Sequence, residues 1–173
     1  MLFYGLKMLH STQATQTSSK NIHQWLDEYA ASHQNPINKA IHWVCVPVIF
    51  FTVMALLWSI PTPAFFESVP FLNFGSSAML LALILYARLS LTMAVGMLIY
   101  CLIIGVLIQW WIQLALLPLW LFATILFVLA WIGQFIGHHI EGKKPSFFND
   151  LQFLLIGPAW VMAFLLRKWK ISF

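Results

Sequence analysis

From Ile41 to Gly137 the chain carries two charged side chains, Glu67 and Arg88. A soluble domain keeps about a quarter of its residues charged, so a stretch this long and this apolar is not the surface of one. If lipid surrounds it, its backbone polar groups must be satisfied internally, which helices do. The composition agrees: of 173 residues, 61% are hydrophobic and 8% charged, with a mean hydropathy of +0.85. An ordinary soluble enzyme and a disordered chain are both excluded. The fold class expected is all-α. It is a polytopic membrane helical bundle of about four full transmembrane helices, a fifth broken or re-entrant segment and an N-terminal interfacial helix.

Residues 1–19 read as a disordered tail without a secretory signal, and 20–173 as a single membrane domain. Ser18 or Ser19 can cap a short helix beginning near Lys20. Ile22, Trp25, Leu26 and Tyr29 then recur at helical spacing and make one apolar stripe. The stripe suits a helix lying on the membrane or one packed on the bundle. Asn35-Pro36 is an N-cap followed by proline at the first helical position. That helix enters the membrane over Ile41–Ile60, with a kink expected at Pro47. Ser76–Ala87 is short for a span unless Phe71–Phe74 join it. Leu89–Trp110 and Leu117–Gly137 are full length. Leu151–Leu166 is interrupted by Gly157-Pro158. Trp110, Trp111 and Trp120 suit an interfacial belt.

Net charge is +4, from nine Lys+Arg and five Asp+Glu. In this setting it is a topology signal, and no nucleic-acid partner is expected. Arg88 and the Lys143-Lys144 pair mark cytoplasmic turns, and four crossings satisfy both. Arg167, Lys168 and Lys170 fit the same side only if the fifth segment does not cross. Cys45 and Cys101 lie in apolar runs, which excludes a disulfide scaffold.

The chemistry lies with the histidines. His33 and His42 flank the start of the first span, and His138 and His139 end the fourth. The topology brings all four to one face of the membrane, where unpartnered histidines are costly. Gln134, His138 and Glu141 share one helix face. Gly133 and Gly137 form a G-x-x-x-G that admits a close neighbour, and that neighbour can carry His33 and His42. Imidazoles with a carboxylate at the edge suit iron(II) or zinc. The metal ligands expected are His33, His42 and His138, with His139 as a possible fourth. Taken singly, each histidine reads better as an interfacial helix cap; the four together favour a metal site.

Two segments carry a resemblance. The first is His33-Gln34-Asn35-Pro36-Ile37-Asn38, with His42 nine residues after His33. The second is Gln134-Phe135-Ile136-Gly137-His138, followed by Glu141, Lys144-Pro145 and Asn149-Asp150. The chain resembles the small multi-pass membrane family of the fungal 2-hydroxy fatty acid dioxygenase, from about Tyr29 to Leu166. The resemblance implies an Fe(2+)-dependent dioxygenase of fatty acid α-oxidation, which uses O2 to shorten a 2-hydroxy fatty acid by one carbon. On that reading His33, His42 and His138 match the family's histidines, and Gln134, Glu141 and Pro145 also fall on the pattern. Glu141 is expected to orient a metal-bound histidine, and Lys144 to offset the substrate's charge.

A di-iron oxidase is set aside, because the histidine boxes it needs are missing. A b-type haem protein holding iron between His42 and His138 and a non-enzymatic membrane lipid-binding protein stay open as alternatives. The partners expected are the 2-hydroxy fatty acid, O2 and the lipid bilayer. The location expected is the bacterial inner membrane or the eukaryotic endoplasmic reticulum, with the site at the cytoplasmic face. Substrate chain length and oligomeric state are left open.

Overall fold

A computed structural model describes residues 20–66, 68–144 and 152–173. The expected tail at 1–19, and with it the Ser18 or Ser19 cap, lies outside these residues, as do Pro145, Asn149 and Asp150. The described residues form helices α1 (Ile22–Ala30), α2 (Pro36–Trp58), α3 (Phe74–Leu89), α4 (Leu91–Leu114), α5 (Leu119–Glu141) and α6 (Phe153–Lys168), with a 3-10 turn at Ala64–Phe66 and no strand.

Helices α2, α4 and α5 are long and apolar enough to cross a membrane. Their 23, 24 and 23 residues extend about 35 Å each at 1.5 Å per residue, against a hydrocarbon core of about 30 Å. Helix α3 has 16 residues. Of Phe71–Phe74 only Phe74 joins it, because Asn73 caps the helix: its side chain accepts from the Ser76 amide at 3.0 Å while Ser76 Oγ accepts from the Asn73 amide at 2.9 Å. This reciprocal box fixes the first turn, and Phe71 before it takes a positive φ of 63°. So three helices, rather than four, have full spanning length.

Asn35 and Pro36 open α2 as expected, with Asn35 Oδ1 accepting from the Ile37 amide at 2.9 Å. The helix runs on through Pro47, whose carbonyl accepts a hydrogen bond from the Tyr100 hydroxyl at 2.6 Å. Helix α1 starts later than expected, capped by Asn21 with Gln24 in a capping box. Its apolar stripe is not turned to lipid. Ile22, Leu26 and Tyr29 are buried in one core with Ile156, Ala163 and Leu166 of α6, so α1 packs on the bundle.

Gly157-Pro158 does not interrupt α6, which is helical across both. Leu155 O accepts from the Tyr86 hydroxyl at 2.8 Å, Met162 lies against Gly96, and Phe164 packs on Trp43 with ring centroids 4.2 Å apart. Tyr86 stands in the last turn of α3, Gly96 near the start of α4 and Trp43 near the start of α2. Helix α6 therefore rests against the ends of those helices that face α1.

The most extensive helix pair is α2 with α5, and the two glycines make it close. A Cβ at Gly133 would sit 2.7 Å from Cys45 Sγ, and one at Gly137 would collide with Asn38 Oδ1 and lie 3.4 Å from His42 Cε1. Gly137→Ala should therefore destabilise the protein by about 1–3 kcal/mol through overpacking, measured by thermal unfolding in detergent. Gly105→Ala, where nothing stands within 4 Å, should be neutral or mildly stabilising because alanine is the better helix former.

Candidate metal centre

The close α2–α5 contact places His42, in the second turn of α2, against His138, in the last turn of α5. The short 31–35 connection swings His33 over both. Ring centroids are 4.3 Å apart for His33 and His42, 5.1 Å for His33 and His138, and 4.7 Å for His42 and His138. All three are buried. One ring nitrogen of each lies within 4.8 Å of the others.

Hydrogen bonds orient two of the rings. A carbonyl only accepts, so the ring nitrogen facing one must carry the proton. His33 Nδ1 donates to Tyr29 O at 2.6 Å, and His42 Nδ1 donates to Asn38 O at 2.9 Å. Both therefore present a lone pair at Nε2. His33 Nε2 has no partner, nor has His138 Nδ1. His42 Nε2 faces His138 Nε2 at 3.1 Å. Two ligands at right angles on one ion, with metal–nitrogen bonds of about 2.1 Å, stand about 3.0 Å apart. Burial pushes the His33 imidazole down to about 4, aided by His138 and Lys39 and opposed by the Tyr29 carbonyl and Glu141. His33 is therefore neutral at pH 7, the form that binds a metal. Buried neutral imidazoles with unpartnered nitrogens suit iron(II) or zinc.

The other predicted residues take different places. Gln134, buried one turn before His138, reaches His42 with its side-chain amide. His139 follows His138 by about 100° around the helix and is exposed, away from the three. Glu141 is hydrogen-bonded to the start of α2 rather than to a histidine ring. Its Oε1 accepts from the Gln34 amide at 2.8 Å, and its Oε2 accepts from the Asn35 amide at 2.8 Å and Asn38 Nδ2 at 3.0 Å. The carboxylate closes on the start of α2 because those amides precede the helix's own hydrogen bonds and need an acceptor. Lys144 is exposed, whereas Lys143 Nζ donates to Ala31 O at 2.6 Å and ties down the same connection.

Sequence reasoning gave no role to Asn38 or Tyr29. Asn38 is fully buried and bridges Glu141 to Ser32 O. Its signal is its place four residues before His42, where its carbonyl holds the ring. Tyr29 stands four residues before His33, offers it the same kind of carbonyl, and stacks on its ring at 4.2 Å and 13°.

The three histidines close one end of a cavity of about 460 Å³. Its other walls are Tyr29 of α1, Val46, Ile49, Phe50, Val53 and Met54 of α2, Trp131 and Gln134 of α5, and Gln152 with Phe153–Leu155, Gly157 and Pro158 of α6. From His42 to Met54 the groove follows about 18 Å of helix. A head of three histidines and a mostly apolar shaft fit an amphipathic lipid.

Residues 19–169 match the family described as 2-hydroxy-palmitic acid dioxygenase Mpo1-like. The chain belongs to the Mpo1-like family. No curated protein and no solved structure matches it. The match covers every helix of the structure, so the cavity and the three histidines all lie within the Mpo1-like region.

Glu141→Ala removes the acceptor for three donors of the 34–38 segment. Hydrogen exchange followed by mass spectrometry should show the Gln34 and Asn35 amides losing protection. Unfolding should show a loss of about 1.5–3 kcal/mol, the range for hydrogen bonds to a charged group.

Proposed function

We propose that the protein is an iron(II)-dependent dioxygenase that removes C1 from 2-hydroxy long-chain fatty acids with O2, giving the acid one carbon shorter. The observation that carries this reading is the group of three buried histidines closing the head of an apolar cavity. The family's description supplies the substrate class. The reaction balances as 2-hydroxy acid plus O2 giving the shortened acid, carbon dioxide and water, so O2 takes up all the electrons and no further reductant is needed.

His33, His42 and His138 would hold the iron, which supplies the site at which O2 and the chelating 2-hydroxy acid meet. The chain's own residues do the rest. The carbonyls of Tyr29 and Asn38 hold two rings in the tautomer that directs Nε2 inward. Gln134 steadies His42. Glu141 and Lys143 pin the 31–35 connection and so His33. The walls from Val46 to Met54 take the acyl tail and exclude water from the head, so the carboxyl end is held in one orientation against the histidines.

Two haem-ligating imidazoles would stand on opposite faces of a macrocycle, about 4 Å apart at the nitrogens. The 3.1 Å between His42 and His138, with His33 beside them, favours a shared ion over a haem. The contacts of α6 with the ends of α2, α3 and α4 favour a segment that does not cross. Arg167 and Lys168 then lie on the side of Arg88, Lys143 and Lys144, which the positive-inside rule makes cytoplasmic. The same topology supports a site at the cytoplasmic face.

Purified protein with iron(II) and O2 should convert a 2-hydroxy long-chain acid to the shortened acid and leave the unsubstituted acid untouched, read by mass spectrometry of the lipids. Replacing His33, His42 and His138 together by Ala should abolish both turnover and bound metal. Equal turnover of the two acids, or metal content unchanged in the triple variant, would refute the proposal.

A further inference from the structure

Three tyrosines among the described residues are buried or largely so. Two have their hydroxyls engaged by the fold: Tyr86 donates to Leu155 O at 2.8 Å and Tyr100 to Pro47 O at 2.6 Å. Tyr29 differs. Its backbone carbonyl accepts from His33, but its hydroxyl has no hydrogen-bond partner among the described residues. The side chain lines the same cavity as the histidines.

The ring alone accounts for packing. It stacks on His33 at 4.2 Å and meets Trp160 at 5.6 Å and Phe153 at 6.0 Å between centroids. A phenylalanine would make those contacts without burying a hydroxyl that gains nothing in return. The space before the hydroxyl is also kept clear. A Cβ at Gly157 would lie 3.2 Å from the Tyr29 oxygen and 3.3 Å from Val46 Cγ1, so any side chain on α6 at this point would crowd the hydroxyl and narrow the cavity.

We propose that the Tyr29 hydroxyl binds the substrate, donating a hydrogen bond to the carboxylate of the 2-hydroxy acid as the head group sits against the three histidines. The inference rests on the dioxygenase reading above. A chelating 2-hydroxy acid would use its hydroxyl and one carboxylate oxygen on the iron, leaving a second oxygen in a cavity whose polar lining besides the histidines is Tyr29, Gln152 and Gln134, the last already engaged with His42. A buried carboxylate oxygen needs a donor, and an O–H···O⁻ bond is among the stronger kinds. An ordinary phenol keeps its proton at neutral pH and so can donate.

The test uses full-length protein loaded with iron(II) under nitrogen, so that binding is read without turnover. The affinity for a 2-hydroxy long-chain acid is measured by displacement of a fluorescent fatty acid. Tyr29→Phe keeps the stacked ring and the backbone carbonyl. It should keep wild-type iron content and bind the acid about ten- to a hundredfold more weakly, the usual range for a hydrogen bond to a charged group. The methyl ester of the same acid should bind both proteins alike. Gly157→Ala should weaken binding of the acid with iron content unchanged. Equal affinity in wild type and Tyr29→Phe, both holding iron, would overturn the role of Tyr29 and leave the dioxygenase reading standing. Loss of iron from Tyr29→Phe would overturn it too, by showing that the residue acts through His33. A wild-type protein that binds neither iron nor the acid would overturn both proposals.

Discussion

Everything at the histidine centre depends on how closely α2 and α5 approach. Two helices packed with ordinary side chains stand 8–10 Å apart, too far for short side chains to close the gap on every level. Gly133 and Gly137 remove the obstacle, and the space goes to Cys45, Asn38 and His42. Once the helices touch, the Glu141 carboxylate reaches the amides at the start of α2, and the connection carrying His33 folds over the pair. The hydrogen bonds and the histidine cluster both follow from that approach.

Each histidine has a carbonyl or a neighbour to fix it, and the fixing groups come from the chain's own helical turns. Tyr29 and Asn38 each stand four residues before the ring they hold. For Asn38 and His42 this is the usual separation of groups that meet on one helix face, whereas His33 lies beyond the end of α1 and turns back to its last turn. The site needs few long-range partners beyond Glu141, Lys143 and Gln134, so a chain of modest size can build it in a bundle otherwise held by apolar packing.

Much of this was legible in the residues. The Asn35-Pro36 start and the Gly133–Gly137 spacing follow from local patterns, and the meeting of His33 and His42 with His138 follows from the order of the apolar runs. What was not legible depended on tertiary packing. The stripe of α1 reads equally as lipid-facing or protein-facing, and only α6 decides it. Gly157-Pro158 reads as a break, yet proline in a helix surrounded by others is tolerated when neighbours meet the freed polar groups. His139 directly follows the motif's histidine, but a helix turns adjacent residues to different faces, and Lys144 lies beyond the end of α5. Glu141 was placed on the correct face and assigned the wrong partner, because the demand of open amides at a helix start outweighed that of the imidazoles.

The shortness of α3 has a geometric consequence. Ser90 is the C-cap of α3 and the N-cap of α4, so the two helices are level at that end. With 16 residues against 24, α3 stops about 12 Å short of α4 at the other. The shortfall falls at the end of α4 remote from the histidines, as a notch beside it. The segment between α2 and α3 turns Phe65 and Phe71 outward there, 70% and 73% exposed. Those rings give the lipid an apolar surface where the helix ends, so the bilayer meets a bundle of uneven height.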